Sequence, residues 1–116
     1  MVIANEDGAL RPCDKEYEKT VAGVISGAGG LRPGIVLDRQ DPKHNRLSVA
    51  LVGKVYCKVD AQYAPIGVGD LLTTSPTTGH AMKASDPRRC FGAVIGNALR
   101  PLTTGRGLVP ILVALQ

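Results

Sequence analysis

The chain has 116 residues, 44% of them hydrophobic and 21% charged, with a net charge of +4. That is enough to bury a core as one domain without disulfide or metal staples, and too apolar for disorder. Aromatic residues make up 3% and Trp is absent, so the core must come from Val, Leu, Ile and Ala, and single-strand nucleic-acid binding lacks its stacking faces.

The basic residues are scattered, Arg88-Arg89 being the densest pair, which also argues against a nucleic-acid partner. No run reaches the roughly 18 apolar residues of a membrane helix. Met1-Val2-Ile3 lacks the basic n-region of a signal peptide. The chain therefore reads as soluble, cytoplasmic or particle-associated.

Met1 to Ile3 is apolar from its first residue, as though the chain opens inside a strand, so the expectation is a single domain that forms the C-terminal module of a longer polypeptide. Asn5-Glu6-Asp7-Gly8 predicts a hairpin turn, Asp-Gly being favoured where φ must be positive. Ala9 to Cys13 is the returning strand. Asp14 to Lys19 is charged and too short to hold a free helix, so it reads as a solvated connector. Thr20 to Ile25 is a strand, followed by Ser26-Gly27-Ala28-Gly29-Gly30.

A glycine loop after a strand can cradle phosphate only if it opens into a helix. Here Pro33 and Gly34 forbid that helix and no Gly-Lys-Ser/Thr follows, so the loop reads as a β-turn before a strand at Ile35 to Leu37. Asp38 to Arg46 is a polar surface loop, with His44 solvated.

From Leu47 the odd positions run Leu47, Val49, Leu51, Gly53, Val55, Cys57, Val59, which predicts one long strand with that face in the core. The even face carries Ala50, Val52 and Tyr56 beside Lys54 and Lys58, whose stems can lie on apolar surface. A corner over Ala64 to Asp70 leads into a strand at Leu71 to Thr74. A turn over Ser75 to Gly79 then closes a hairpin onto His80 to Ala84. After a loop at Ser85 to Arg89, Cys90 to Gly96 reads as a strand whose glycines allow a bulge or close approach. A loop at Pro101 to Gly107 precedes a last strand, Leu108 to Leu115, apolar on both faces. Such a strand is either central or covered by another subunit. These elements predict an all-β fold, a compact barrel or sandwich of about eight to ten short strands.

The segment from Gly8 through Val21 to Ala28 echoes the one from Gly79 through Phe91 to Ala98, about seventy residues on. Both run turn glycine, short strand, Asp-containing loop and a strand ending in Gly and Ala. Unless it is the coincidence a β-rich, Gly-rich chain offers, the echo marks two similar halves.

No residue set carries chemistry. Asp70, Ser75 and His80 lie around one turn, but a triad is defined by convergence, and each has a simpler role as corner or turn residue. Cys13, Cys57 and Cys90 lack CxxC spacing or a nearby His pair, so they read as free thiols and not as zinc ligands or nucleophiles. Glu16 and Glu18 read as a solvated charged face. No catalytic, cofactor-binding or metal-ligating residue is assigned, and no cofactor is expected.

The blocks VAGVISGAGGLRPGIVLD, ALVGKVYCKVDA, PIGVGDLLTTSPTTGHAMKA and FGAVIGNALRPL resemble the peptidase G2-like module of phage tail-fibre, tailspike and neck-appendage-like proteins. The block from Lys54 to Ala84 is the most specific part. The resemblance implies an all-β intramolecular chaperone, a homotrimer as the partner state, and assembly of a fibrous parent. It also implies, as the second reading, autoproteolytic release from a longer precursor. No family nucleophile or acid falls on a definite position here, so a non-enzymatic assembly or interaction module is the function expected.

Overall fold

The computed structural model describes residues 1–25, 35–36 and 49–115. The predicted glycine loop at 26–30 and the polar loop at 38–46, with His44, lie outside the described residues.

The fold is all-β. The strands are β1 Val2–Glu6, β2 Ala9–Pro12, β3 Val21–Ile25, β4 Ile35–Val36 and β5 Val49–Ala50, then β6 Val52–Asp60, β7 Leu71–Thr74, β8 Ala81–Lys83, β9 Val94–Ala98 and β10 Arg106–Ala114. The first five form a sheet in the order β4-β2-β1-β3-β5, and the last five close a barrel, β10-β6-β8-β7-β9. Every neighbouring pair is antiparallel except β6 with β8.

The β1–β2 hairpin follows from its turn pair. Glu6 faces Ala9 across a two-residue loop, and Asp7 and Gly8 both have positive φ, 52° and 84°. That is the type I′ turn, whose twist matches the strands it joins.

The echo in the sequence is an echo in topology. Written outward from the first hairpin, the sheet is β4-β2-β1-β3-β5; written from the second, the barrel is β6-β8-β7-β9-β10. The core β2-β1-β3 of the sheet matches β8-β7-β9 of the barrel, but the flanks differ: β4 follows β3 in the chain and pairs antiparallel with β2, whereas β6 precedes β7 and meets β8 in parallel, and the barrel closes because β10 pairs with β6. Each unit has a bulge at the same place. Ile3 pairs with Gly23 and Ala4 with Val21, skipping Ala22; Leu72 pairs with Gly96 and Thr73 with Val94, skipping Ile95. The equivalence Val21 with Val94 differs by three residues from the match of Val21 with Phe91 that the sequence suggests.

Two predicted strands are corrected. The long strand breaks at Leu51, so that β5 stays with β3 in the sheet while β6 enters the barrel. Gly53, the second residue of β6, has a φ of 108°, a conformation that L side chains resist, just past the break. The expected alternation survives beyond the break, with Val55, Cys57 and Val59 turned inward and Lys54, Tyr56 and Lys58 outward. The strand expected from Cys90 begins only at Val94. Cys90 to Ala93 is a turn instead, closed by the Ala93 N–H donating to the Cys90 carbonyl at 2.8 Å with Gly92 at φ 80°.

One buried cluster runs through both units, taking Val2, Ala4 and Val24 from the sheet and Cys57, Val59, Leu72, Ile95, Ile111 and Val113 from the barrel. The opposite sheet face carries a smaller cluster of Ile3, Leu10 and Ile25, as period-two alternation along β1 requires. Main-chain bonds lock the units together at Gly79, which donates to the Cys13 carbonyl at 2.7 Å and accepts from the Val2 N–H at 2.9 Å. Buried Thr74 adds a second lock. Its hydroxyl donates to the Lys15 carbonyl at 2.6 Å and accepts from the Glu18 N–H at 2.8 Å.

Candidate functional site

The residues around the second hairpin are spent on architecture. Ser75 is buried just past β7, and its hydroxyl donates to the main-chain carbonyl of His80 at 2.7 Å and accepts from the Thr77 N–H at 3.2 Å. The His80 ring turns instead toward the Thr78 carbonyl, 2.8 Å from Nδ1. Asp70 stands at the far end of β7. There its carboxylate accepts from the Gly67 N–H at 2.7 Å and faces Lys83 at 3.5 Å. Gly69, at φ 86°, occupies the third position of that turn, where type II geometry demands positive φ. The strand between them keeps the carboxylate, hydroxyl and imidazole from converging.

The thiols differ in exposure. Cys13 and Cys57 are buried and Cys90 is partly exposed, its Sγ donating to the Asp86 carbonyl at 3.2 Å. Burial pushes the Cys57 thiol up to about 12. Burial also pushes up Cys13, and the nearby Glu18 carboxylate adds to it. Neither is a thiolate at neutral pH, the form a nucleophile or metal ligand needs. Among the described residues, no three His, Cys, Asp or Glu side chains gather as metal ligands would.

The connector is only half solvated, which corrects the expectation for Glu18 and not for Glu16. Glu16 is exposed and pairs with Arg89 at 2.9 Å. Glu18 turns inward, its side chain 9% exposed, and pairs with Arg11. Arg11 also holds Glu6 at 2.7 Å and Asp14 at 3.2 Å. Glu18 Oε2 is buried with no hydrogen-bond partner among the described residues. Charge composition alone hides this, because the burying partner sits on β2.

Asp60, at the end of β6, is not singled out by the sequence and is, among the described residues, the most connected buried carboxylate, 1% exposed. It accepts from the Gln62 N–H at 3.0 Å, the Gln62 amide at 2.6 Å and the Thr77 hydroxyl at 2.7 Å, and faces Arg106 Nε at 3.3 Å. Burial pushes its carboxyl up, but the hydrogen bonds from Gln62 and Thr77, with the Arg106 charge, outweigh that and hold it below the usual range. Only the Asp60–Gln62 contact has a local signal, an Asp bonding the N–H two residues on. This cluster ties β6, the Ser75–Gly79 turn and the start of β10 into one barrel corner.

The outer face of the β6–β10 ribbon is a surface that the barrel's own packing leaves unused. Val109, Ile111 and Val113 fill the barrel from β10. On the opposite face Leu108 is 57% and Leu112 45% exposed. In register, Leu108 stands opposite Lys58, Pro110 opposite Tyr56, Leu112 opposite Lys54 and Ala114 opposite Val52. Val52 and Tyr56 are themselves 78% and 53% exposed. The doubly apolar last strand is thus central in its sheet, between β6 and β9, and still bare on one face. Val52, Tyr56, Leu108 and Leu112 thus form an exposed apolar set interleaved with Lys54 and Lys58, with Pro110 buried between the two leucines, and exposed apolar patches rimmed by polar residues mark interaction sites. No helix among the described residues is long and apolar enough to cross a membrane. No protein-family model matches the chain, and neither does any curated protein or solved structure.

Proposed function

We propose that the chain is a non-enzymatic assembly module that self-associates through the outer face of the β6–β10 ribbon. The observation carrying this reading is the exposed set of Val52, Tyr56, Leu108 and Leu112 on two strands that pair with each other over nine residues. The two strands are zipped to each other along that face, so a partner seated on it would bind by side-chain packing. Lys54 and Lys58 can lay their stems along that packing and keep their ammonium groups in water. The resemblance to peptidase G2-like modules supports a homotrimer within a phage tail-fibre-like parent. Cis cleavage of a longer precursor draws on the resemblance alone.

Sedimentation equilibrium tests the reading. The expected species at tens of micromolar is three times the 12.1 kDa chain mass. The double substitution Leu108→Glu/Leu112→Glu should give monomer with an unchanged melting temperature. A strict monomer for the unaltered chain at about 100 μM, an energy scale near 5–6 kcal/mol, overturns it.

A further inference from the structure

Away from the ribbon, the connector and the loop after β8 meet in a basic cleft of about 320 Å³ lined by Tyr17, Lys19, Arg88, Arg89 and Phe91. Its floor is built and strained. Tyr17 adopts a left-handed φ of 51°, which a bulky side chain takes up only when its surroundings enforce it. Two contacts do so. The Asp86 N–H donates to the Tyr17 hydroxyl at 2.8 Å, and the Arg89 guanidinium stacks 4.6 Å from the ring centroid. Arg89 is committed to that stack and to Glu16. Lys19 and Arg88 are exposed, and no carboxylate among the described residues pairs with either.

A second, apolar hollow of about 470 Å³ adjoins the first, lined by Leu71, Pro87, Cys90, Phe91 and Val94. Phe91 lines both and is 91% exposed. Gly92, at positive φ, turns the chain directly behind it. A large apolar side chain held out on a turn between two uncommitted cations and an apolar hollow matches a ligand that is acidic at one end and apolar at the other.

We propose that this double cleft docks an acidic peptide segment. A Leu- or Phe-like side chain enters the hollow against Phe91, and flanking carboxylates meet Lys19 and Arg88. Nucleic acid fits less well. Two uncommitted cations make no track for successive phosphates, and an aliphatic hollow gives a base no stacking platform beyond Phe91. The proposal is independent of self-association, since the ribbon strip lies on other residues.

Fluorescence anisotropy with a fluorescein-labelled Asp-Glu-Leu-Phe-Asp-Glu peptide tests it. Saturable binding tighter than about 1 mM is expected. Lys19→Glu/Arg88→Glu should weaken it at least about tenfold, and Phe91→Ala about fivefold, as for an exposed aromatic anchor. All three positions are surface ones, so unchanged melting temperatures will show that the variants fold. The same peptide with Ser replacing Leu and Phe should lose binding, and Leu108→Glu/Leu112→Glu protein should keep it. No saturation at 1 mM, affinity indifferent to these substitutions, or tighter salt-sensitive binding of an oligothymidine through the same cations overturns the proposal.

Discussion

Gly96 lies so close to Leu112 on the neighbouring strand that a Cβ at Gly96 would overlap the Leu112 carbonyl oxygen. Its counterpart in the first unit, Gly23, leaves a Cβ only 2.8 Å from the Ala50 carbonyl oxygen and 2.7 Å from Val49 Cγ1. In both units the bulged third strand thus carries a glycine where the next strand's main chain passes closest.

Gly96→Ala should therefore cost at least about 3 kcal/mol, the upper range for overpacking, because the obstacle is backbone and cannot swing away. Gly8→Ala is the control. Its φ is 84° but nothing lies within 4 Å of a Cβ there, so only left-handed strain of about 1–2 kcal/mol applies. Urea denaturation of both variants ranks them, and a milder effect for Gly96→Ala than for Gly8→Ala would contradict the packing account.

The Arg11 cluster should respond asymmetrically. Arg11→Met leaves the Glu18 carboxylate buried without its cation and should cost about 3 kcal/mol, near the low end for a broken buried pair. Glu18→Gln leaves Arg11, which is partly exposed, with Glu6 and Asp14, and should cost about 1 kcal/mol, one hydrogen bond's worth. Equal losses in thermal melts would argue against a buried charge as the cause.

Asp60 sets an acid limb. Its folded carboxyl titrates below the unfolded one, so its stabilisation is present above the unfolded value, near about 3.9, and is lost as pH falls through the lower folded value. Asp60→Asn should reduce stability at pH 7 and shrink the fall in urea midpoint between about pH 5 and 2. A variant whose acid limb is as steep as the parent's would place the pH dependence elsewhere.

The thiols provide an alkaline counterpart. Cys57 is pushed up to about 12 in the folded chain, against about 8.5 when unfolded. The stability tied to its neutral form is complete below the unfolded value and declines as pH rises past it. Cys57→Ala should therefore flatten the loss of stability above about pH 8.5. With a disulfide-exchange reagent at pH 8, Cys90 should react in the native protein, while Cys13 and Cys57 react only after denaturant is added. Three thiols reacting at once under native conditions would mean that the core opens readily.

How much was legible in the sequence depended on whether the deciding contact was local. Asp7-Gly8 specifies its own turn, and the hairpin ending at Gly79 has its turn residues within five positions, so both hairpins could be read directly. The alternation from Gly53 to Val59 also held, since one face of β6 meets a core. The break at Leu51 could not be read, because a period-two pattern runs unaltered through a change of sheet. Phe91 looked like a strand residue by type, but Gly92 turns it out to solvent. The cleft at Tyr17 arises between segments about seventy residues apart, as with Glu16 and Arg89, and Glu18 is buried against Arg11 on the neighbouring strand β2, neither of which a periodic pattern encodes. The apolar outer face of β10 was plain in the sequence, since Leu108 and Leu112 alternate with residues that fill the barrel.

The ring of the barrel is uneven. Nine residue pairs zip β6 to β10 from Arg106–Asp60 to Ala114–Val52, whereas β6 meets β8 at the single parallel bridge of Val59 with Ala81. Local opening follows the seam with the fewest bonds to break, so the barrel has a built-in latch. Amide hydrogens beside Ala81 should exchange with solvent well before those along the zipper. The molecule then breathes by uncurling its ring into an open ribbon, with the Asp60 cluster acting as the clasp that holds the latch shut.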